Sequence, residues 1–545
     1  MPPPPTTLGA GAWRRGQRHR LALVGLVAML LVGCSSSGDI TFGDRPSVGS
    51  LVGTAPDGQI VVRTDQVGGT VDRRLLGTNV PAWLLPDLVA DPAFRTELEA
   101  SGTTLLRFPG GSWSSDYDWL ACEQRDASRC NWTWAMRPSD VADLLEETGL
   151  LGMWTASFNG TAQEAAAAVA FFNGDVSDTR SIGTDRNGRD WKTVGHWAQL
   201  RAAGGHPEPT PIRYWEVGNE VYGAKASAQG DCASWGWENV WTCDGSQYVA
   251  GDGDHDGYLA FHDAMVQVDP DIEVGAVGVG AKGEWSDWDD AVVGGAGDAI
   301  DFYIVHQYGS NGDEPAGKVL GLPADKWPEI MTDVRSAFAD NGSAEAPVAI
   351  TEHNLVTFID GDDEKLMTTA LNAFYLADTL GQMAENGVTI ANQWNFANGQ
   401  APNGSDYGLV DAQTHRRSPA YYALALWARS GTDLVHVDLG DDLDDLVVYG
   451  TRAADGSARL LVLNPSSASV SATVSATPST GRSRVLADEV VAESLDATQV
   501  TYNGSTDPDL ELDDPGQSIT TGDDGTFARE FPAHSMTLLS WGTRP

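Results

Sequence analysis

Between residues 75 and 396 the chain carries eight apolar, β-branched or aromatic runs, each separated from the next by a segment long enough for a helix. They are Leu75 to Val80, Thr103 to Pro109, Leu150 to Phe158, Ile212 to Glu220, Ile272 to Gly278, Asp301 to Gly309, Pro347 to Asn354 and Val388 to Phe396. Each closes on Gly, Pro, Asn or a polar residue. Apolar residues recur three and four apart in Pro138 to Thr148, Ala162 to Phe172, Tyr258 to Val268, Ile330 to Ala339 and Met367 to Glu385, which is the helical period. Strand alternating with helix implies parallel strands joined by crossovers. Eight such units make a (β/α)8 TIM barrel, expected over residues 73–430.

Past a helical run from Ser418 to Arg429 the texture changes. Short alternating strands such as Leu446 to Gly450, Ala458 to Asn464 and Val470 to Ala476 are broken by Gly, Asp and Ser clusters, with no helical period. Residues 431–545 therefore read as a C-terminal antiparallel β-sandwich. Gln59 to Thr64 shows the same alternation, so residues 59–72 are expected to add a strand to that sandwich.

The N-terminus reads as a targeting segment rather than as fold. Arg14, Arg15, Arg18 and Arg20 precede the apolar run Leu21 to Val32, which is shorter than the roughly 20 residues that span a bilayer. Leu31-Val32-Gly33-Cys34 resembles a bacterial lipobox, which implies a lipoprotein signal peptide over 1–33, lipidation of Cys34, and a tether over 34–58. An ordinary secretory signal cut nearby is the alternative. Either way the protein is expected to be exported, and in the first case a cell-surface lipoprotein that meets the membrane only through its lipid anchor.

An exported chain meets an oxidising environment, so the four remaining cysteines are expected to pair locally, Cys122 with Cys130 and Cys232 with Cys243. Three connectivities are formally open. With no Cys-x-x-Cys pair, a thiolate zinc site or redox motif is disfavoured. Net charge is −42, from 76 acidic against 34 basic residues, which argues against nucleic acid or an anionic polysaccharide as partner because both would be repelled. A neutral polysaccharide or oligosaccharide fits better, although acidity that only maintains solubility would give the same charge.

The fourth and seventh runs each place a glutamate where the strand stops, Glu220 in Trp215-Glu216-Val217-Gly218-Asn219-Glu220 and Glu352 in Ile350-Thr351-Glu352-His353-Asn354. In a barrel these two acids stand across one mouth, at the carboxyl ends of the strands, where such barrels do their chemistry. Paired carboxylates at that place are the equipment of glycoside hydrolysis.

Four strand ends together carry a resemblance. Arg107-Phe108-Pro109-Gly110-Gly111-Ser112, the Asn219-Glu220 segment, His306-Gln307-Tyr308-Gly309 and Glu352-His353-Asn354 resemble the clan A glycoside hydrolases, nearest in pattern to the family 51 α-L-arabinofuranosidases. The resemblance implies Glu352 as nucleophile and Glu220 as acid/base of a retaining double displacement, with no cofactor required. Such a mechanism needs Glu352 ionised and Glu220 protonated. It also implies that Asn219 bonds the sugar 2-hydroxyl, that Tyr308 donates to the nucleophile with His306 lining the same subsite, and that Arg107 orients the nucleophile or binds substrate. Trp394 resembles the floor under the reacting sugar. Of 19 tryptophans, Trp113, Trp119, Trp132, Trp134, Trp235, Trp237 and Trp241 fall in the loops after the second and fourth runs, where some would face sugar rings and others fill the loops' own small cores.

Two positions depart from the family pattern. Ser112 stands where an asparagine is usual, and Asn79-Val80-Pro81 stands where the first strand usually supplies a substrate-binding glutamate. An L-arabinofuranoside is the leading substrate, with a β-xyloside, a D-arabinofuranoside or an endo-cleaved neutral glycan behind it. A glycan-binding lipoprotein without catalysis is the competing reading, disfavoured by the retention of both glutamates. Separately, Asp252, Asp254, Asp256 and Asp263 fit the spacing of an EF-hand-type calcium loop, so a structural Ca2+ is a candidate. Against it, Asp256 is placed to cap the helix that follows.

Overall fold

The computed structural model describes residues 51–224, 236–312 and 314–542. The signal-peptide reading of 1–33 and the lipidation of Cys34 lie outside these residues. No helix among the described residues is long and apolar enough to cross a membrane. Strands run, in chain order, β1 (Val52–Ala55), β2 (Gln59–Thr70), β3 (Gly77–Asn79), β4 (Leu105–Phe108), β5 (Leu151–Ala156), β6 (Tyr214–Val217), β7 (Glu273–Val277), β8 (Phe302–Ser310), β9 (Val348–Val356) and β10 (Ile390–Gln393). Strands β3 to β10 close an eight-stranded parallel barrel, β10 returning to β3 through Asn392 and Gln393 against Gly77 and Thr78.

Each of the eight runs supplies one barrel strand, but most strands are shorter than the runs. Leu75 and Leu76 were expected in the first strand and instead belong to a 3-10 turn, Arg73–Leu76, started by Asp72, whose side chain accepts from Arg74 N. Both leucines are buried all the same, so the apolar signal reported burial and not strand. In the fourth run the strand stops at Val217 because Gly218 takes φ +89°, and Glu220 itself takes φ +45°. The acid thus stands three residues beyond its strand, on a turn. Helices at Pro138–Thr148, Ala162–Asn173 and Tyr258–Val268 lie where the periodicity puts them. The Ile330 to Ala339 pattern is the last part of a longer helix, Ala316–Asp340, and Ala370–Glu385 starts after a separate turn at Leu366–Thr368.

A two-stranded ribbon, β11 (Ala397–Asn398) with β12 (Val410–Asp411), precedes the helix Pro419–Ala428. The second sheet is built from β13 (Asp433–Gly440), β14 (Val447–Arg452), β15 (Ala458–Asn464), β16 (Val470–Thr477), β17 (Arg484–Ala492), β18 (Val500–Tyr502), β19 (Gln517–Thr520), β20 (Phe527–Phe531) and β21 (Ser535–Trp541). It forms the expected C-terminal sandwich, enclosing an apolar cluster that includes Val435, Val462, Val485, Phe531 and Trp541. Strand β2 enters this sheet between β13 and β16, placing Ile60 and Val62 in that cluster. Val52–Ala55, inside the stretch read as tether, is a strand parallel to β13, because the turn at Pro56 to Gly58 reverses the chain and brings it along β13, the strand that also pairs with β2. The sandwich meets the barrel at Ala370–Glu385, where a Cβ on Gly381 would lie 2.1 Å from the Tyr449 ring and Gln382 Nε2 donates to the Tyr449 hydroxyl at 3.1 Å.

Cys122 and Cys130 form a disulfide, closing the loop after β4 onto the short helix Trp119–Glu123. The expected Cys232–Cys243 pairing falls on Cys232, which lies outside the described residues.

Candidate active site

The carboxyl ends of the barrel strands carry one connected set of charged side chains. Arg107, last but one in β4, is fully buried and is shared among three strand ends. Its Nε donates to Glu216 Oε2 at 2.5 Å, its Nη1 to Glu352 Oε1 at 2.9 Å and to Asn79 Oδ1 at 3.0 Å, and its Nη2 to Asn219 Oδ1 at 2.9 Å. Arg107 therefore bonds Glu352 and Asn219 together from a position with no exposed surface. Tyr308 donates its hydroxyl to Glu352 Oε2 at 2.9 Å. A register shift between Val305 and His306 puts His306 beside Glu352 across the β8–β9 pair.

His306 lies between the two acids. Its Nδ1 is 2.9 Å from Glu220 Oε1 and 3.9 Å from Glu352 Oε2, while Nε2 meets Thr351 Oγ1 at 3.0 Å. One oxygen from each carboxylate and one nitrogen of His306 all lie within 4.8 Å of one another. The other oxygen of Glu220 accepts from the Trp237 indole at 2.5 Å.

This setting decides the charges. Burial alone would raise both carboxyl pKa values. At Glu220 the hydrogen bond and charge of His306, then the Trp237 N–H, outweigh burial and hold it below the ordinary value. At Glu352 burial prevails over His306 and Arg107 and holds it above. His306 is held above its ordinary value because Glu352 and Glu220 outweigh its own burial. The two shifts run opposite to the order expected from sequence, Glu220 downward and Glu352 upward, because His306 makes its hydrogen bond to Glu220 and not to Glu352. Burial keeps the Tyr308 phenol well above its usual pKa, so it stays a donor to Glu352.

Trp394 follows β10 through a cis peptide to Asn395 and is nearly buried. Gly110 and Gly111 have φ of +75° and +60°, and a Cβ on Gly111 would lie 2.5 Å from Trp394 Cη2. Both reasons for glycine apply at Gly111: the turn needs a positive φ and the indole needs the space. Trp83 packs edge-on to both Trp394 and Trp113, and Trp113 stacks on Trp132 at 3.9 Å, so these loop rings pack on one another.

Three further residues support the site, of which the sequence singles out only Asn79. Glu216 is wholly buried and takes donors from Arg107 and from Thr155 Oγ1 at 2.5 Å. Asn79, at the position of the missing glutamate, is buried and engaged by protein groups: its Nδ2 donates to Thr351 O at 3.0 Å and its Oδ1 accepts from Arg107. Glu238 lies fully buried beneath Ser112, receiving Ser112 Oγ at 2.5 Å, Ser115 Oγ at 3.0 Å and Asn219 Nδ2 at 3.1 Å. Burial first, then the Glu220 charge, pushes its pKa up to about 8.

The acidic loop is not drawn together as a calcium site. Asp252 Oδ1 is taken by its own loop, accepting from Asp254 N at 2.6 Å and His255 N at 2.7 Å. Asp256 does not cap the helix that follows, whose N-cap is Gly257; its Oδ2 accepts from Ala162 N at 3.0 Å, starting a different helix, and its Oδ1 lies 3.5 Å from Arg186. Asp263 is exposed on Tyr258–Val268. Among the described residues the one group with metal-ligand spacing is Glu220, His306 and Glu352, whose atoms are already engaged by Arg107, Tyr308 and Trp237.

No known family profile matches the chain. Over 227 residues it is 26% identical to an intracellular exo-α-(1→5)-L-arabinofuranosidase of Halalkalibacterium halodurans, a stretch covering 41% of this chain and 39% of that enzyme. Its fold is similar to that of the GH51 α-L-arabinofuranosidase of Thermotoga petrophila, with a TM-score of 0.64 at 18% identity over 88% of this chain and 99% of that one. The GH44 endoglucanase Cel44A of Clostridium thermocellum shares it less closely, with a TM-score of 0.56 at 14% identity over 89% and 99% of the two chains. The resemblance carried by the strand-end motifs, to clan A glycoside hydrolases near family 51, and the barrel-plus-sandwich architecture are both matched by these neighbours.

Proposed function

We propose that the protein is a retaining glycoside hydrolase acting on neutral glycans, with an α-L-arabinofuranoside as the leading substrate. The observation that carries this reading is the meeting of Glu220 and Glu352 over one mouth, with carboxylate oxygens within 4.8 Å and His306 between them. A spacing of about 5 to 5.5 Å between carboxyl groups lets one acid form an ester while the other serves the leaving group. In the first step a Glu352 oxygen attacks the anomeric carbon, the bond to the leaving oxygen breaks, and that oxygen takes a proton from Glu220. In the second, Glu220 takes a proton from water, whose oxygen displaces Glu352. With Nδ1 protonated, His306 stands 2.9 Å from Glu220 Oε1 and supplies the proton required first in one transfer.

Screening the wild type and Glu352→Ala on nitrophenyl glycosides, α-L-arabinofuranoside and β-D-xyloside first, tests the proposal. Release by the wild type alone, with the anomeric configuration retained in the first product seen by NMR, supports it. Inversion would sink the double displacement, and no release from any glycoside or polysaccharide would leave a glycan-binding protein. Sugar identity rests on the screen because Asn79 is committed to Arg107 and the backbone, so the family's usual first-strand contact is absent.

The pH dependence of kcat/KM has a worked sign. Activity needs Glu352 ionised, and its pKa lies above the ordinary 4.5, so the acid limb falls at a higher pH than for a free glutamate. Activity also needs the proton shared by Glu220 and His306, and the His306 pKa lies above 6.5, so the basic limb falls above that value. The two limbs belong to the coupled group rather than to single residues. His306→Gln is expected to bring the basic limb down; an unchanged profile would remove His306 from the proton path.

The Cys122–Cys130 disulfide supports the further reading of an exported enzyme tethered through a lipidated Cys34. Labelled palmitate is expected to enter the wild type in a bacterial host and not Cys34→Ala; equal labelling would refute the anchor.

A further inference from the structure

We infer that Glu238 is a positioning residue that fixes the hydrogen-bond polarity of the sugar site through Asn219 and Ser112; this rests on the hydrolase reading above. Glu238 is wholly buried, and the hydrogen bonds its carboxyl group receives come from Ser112, Ser115 and Asn219. Its place is fixed by a tight crossing: a Cβ on Gly236 would lie 1.9 Å from Gly223 O, and Glu238 N donates to that same carbonyl at 2.9 Å. The segment carrying Glu238 is thus pressed onto the turn that carries Glu220.

Donor counting shows what the carboxyl group does. With a pKa of about 8 Glu238 carries a proton near neutral pH; Oε1 already accepts from Ser112 and Asn219, so that proton is assigned to Oε2, and Oε1 acts as an acceptor in either state. Asn219 is clamped at both ends of its amide, Oδ1 taking Arg107 Nη2 at 2.9 Å and Nδ2 giving one hydrogen to Glu238 Oε1 at 3.1 Å. The amide cannot flip without facing an N–H toward Arg107 and an oxygen toward Glu238. Its second N–H meets no other acceptor among the described residues and is left as a donor to a sugar hydroxyl. Ser112 spends its only hydrogen on Glu238 Oε1 at 2.5 Å, so toward the solvent-exposed side it presents lone pairs. One buried carboxyl group therefore makes Asn219 a donor and Ser112 an acceptor at the two places where this chain departs from, or depends on, the family pattern.

A cycle of variants separates this role from mere packing. On the nitrophenyl glycoside that the wild type cleaves, Glu238→Ala is expected to lower kcat about 10- to 100-fold with a smaller change in KM, because the lost bond to the sugar strengthens toward the transition state. In an Asn219→Ala background the same change is expected to cost no more than about 3-fold, since residues acting through one contact are not additive. Glu238→Gln keeps the volume and one acceptor, and is expected to recover most of the loss. Equal losses from Glu238→Ala with and without Asn219, or a Glu238→Ala enzyme within 2-fold of wild type, would overturn the proposal. Should Glu238→Ala fail to fold, the cycle is run with Glu238→Gln, for which additivity again overturns it. A wild type that cleaves nothing would overturn the hydrolase reading and this inference with it; additivity in an active enzyme overturns this inference alone.

Discussion

Glu352→Ala is expected to abolish turnover, lowering kcat by about 10⁵-fold or more, since removing a covalent nucleophile elsewhere costs about 10⁶. Glu220→Ala is expected to lose about 10²- to 10⁴-fold, the usual share of general acid–base catalysis. The loss should be smaller on a nitrophenyl glycoside, whose leaving group departs without a proton. Azide distinguishes the two roles. In Glu220→Ala the ester on Glu352 still forms, azide displaces it from the leaving-group side, and the glycosyl azide keeps the substrate's anomeric configuration. In Glu352→Ala azide occupies the space of the lost carboxylate and gives the opposite anomer. The reverse assignment of products would exchange the residues' roles. Failure of azide to react in either variant, with folding intact, would deny that the two acids serve one anomeric carbon.

Arg107→Met is expected to be the most damaging change that removes no reacting group. Arg107 is the shared cation of Glu216 and Glu352, at 2.5 and 2.9 Å, with all three side chains buried or nearly so. Taking one partner from a buried ion pair costs about 3–5 kcal/mol, because a charge is left behind in low dielectric. Two carboxylates would be left here, so urea unfolding should begin at clearly lower concentration. Activity should also fall about 100-fold or more, since Glu352 and Asn219 lose their common anchor and small misplacements are costly. Arg107→Lys retains the charge but cannot reach three strand ends with one planar fork. It is expected to recover part of the stability and little of the activity. A stable, active Arg107→Met would show that the network is not what holds the nucleophile.

The barrel was legible in sequence because its signal is repeated eight times and each repeat is independent. What could not be read were the strand ends. The hydrophobic run of Leu75 and Leu76 continues through a 3-10 turn, and that of Trp215 to Val217 ends in a glycine turn that carries Asn219 and Glu220. The site was legible where a motif is contiguous, as at Glu352, Tyr308 and Arg107. It was illegible where the role exists only through convergence. Nothing near Trp237 or Glu238 marks them as neighbours of Glu220 and Asn219, since no strand or helix period in the sequence reaches them. The aspartates at 252, 254 and 256 show the converse: regular spacing in sequence, but donors from their own loop and from Ala162 N claim the oxygens first.

Strand β2 lies between β13 and β16, although 363 residues (433 minus 70) separate it from the start of β13. On a ribosome adding about 5–20 residues per second, Ile60 and Val62 wait roughly 20 to 70 s for neighbours that have yet to be made. The nascent chain must therefore be shielded over that interval, and the ordering of synthesis runs against the ordering of assembly. The same layout means that no single cut separates the two lobes: ending translation near residue 430 would release a barrel trailing an orphaned, sticky β-strand at its head, prone to pairing with another copy.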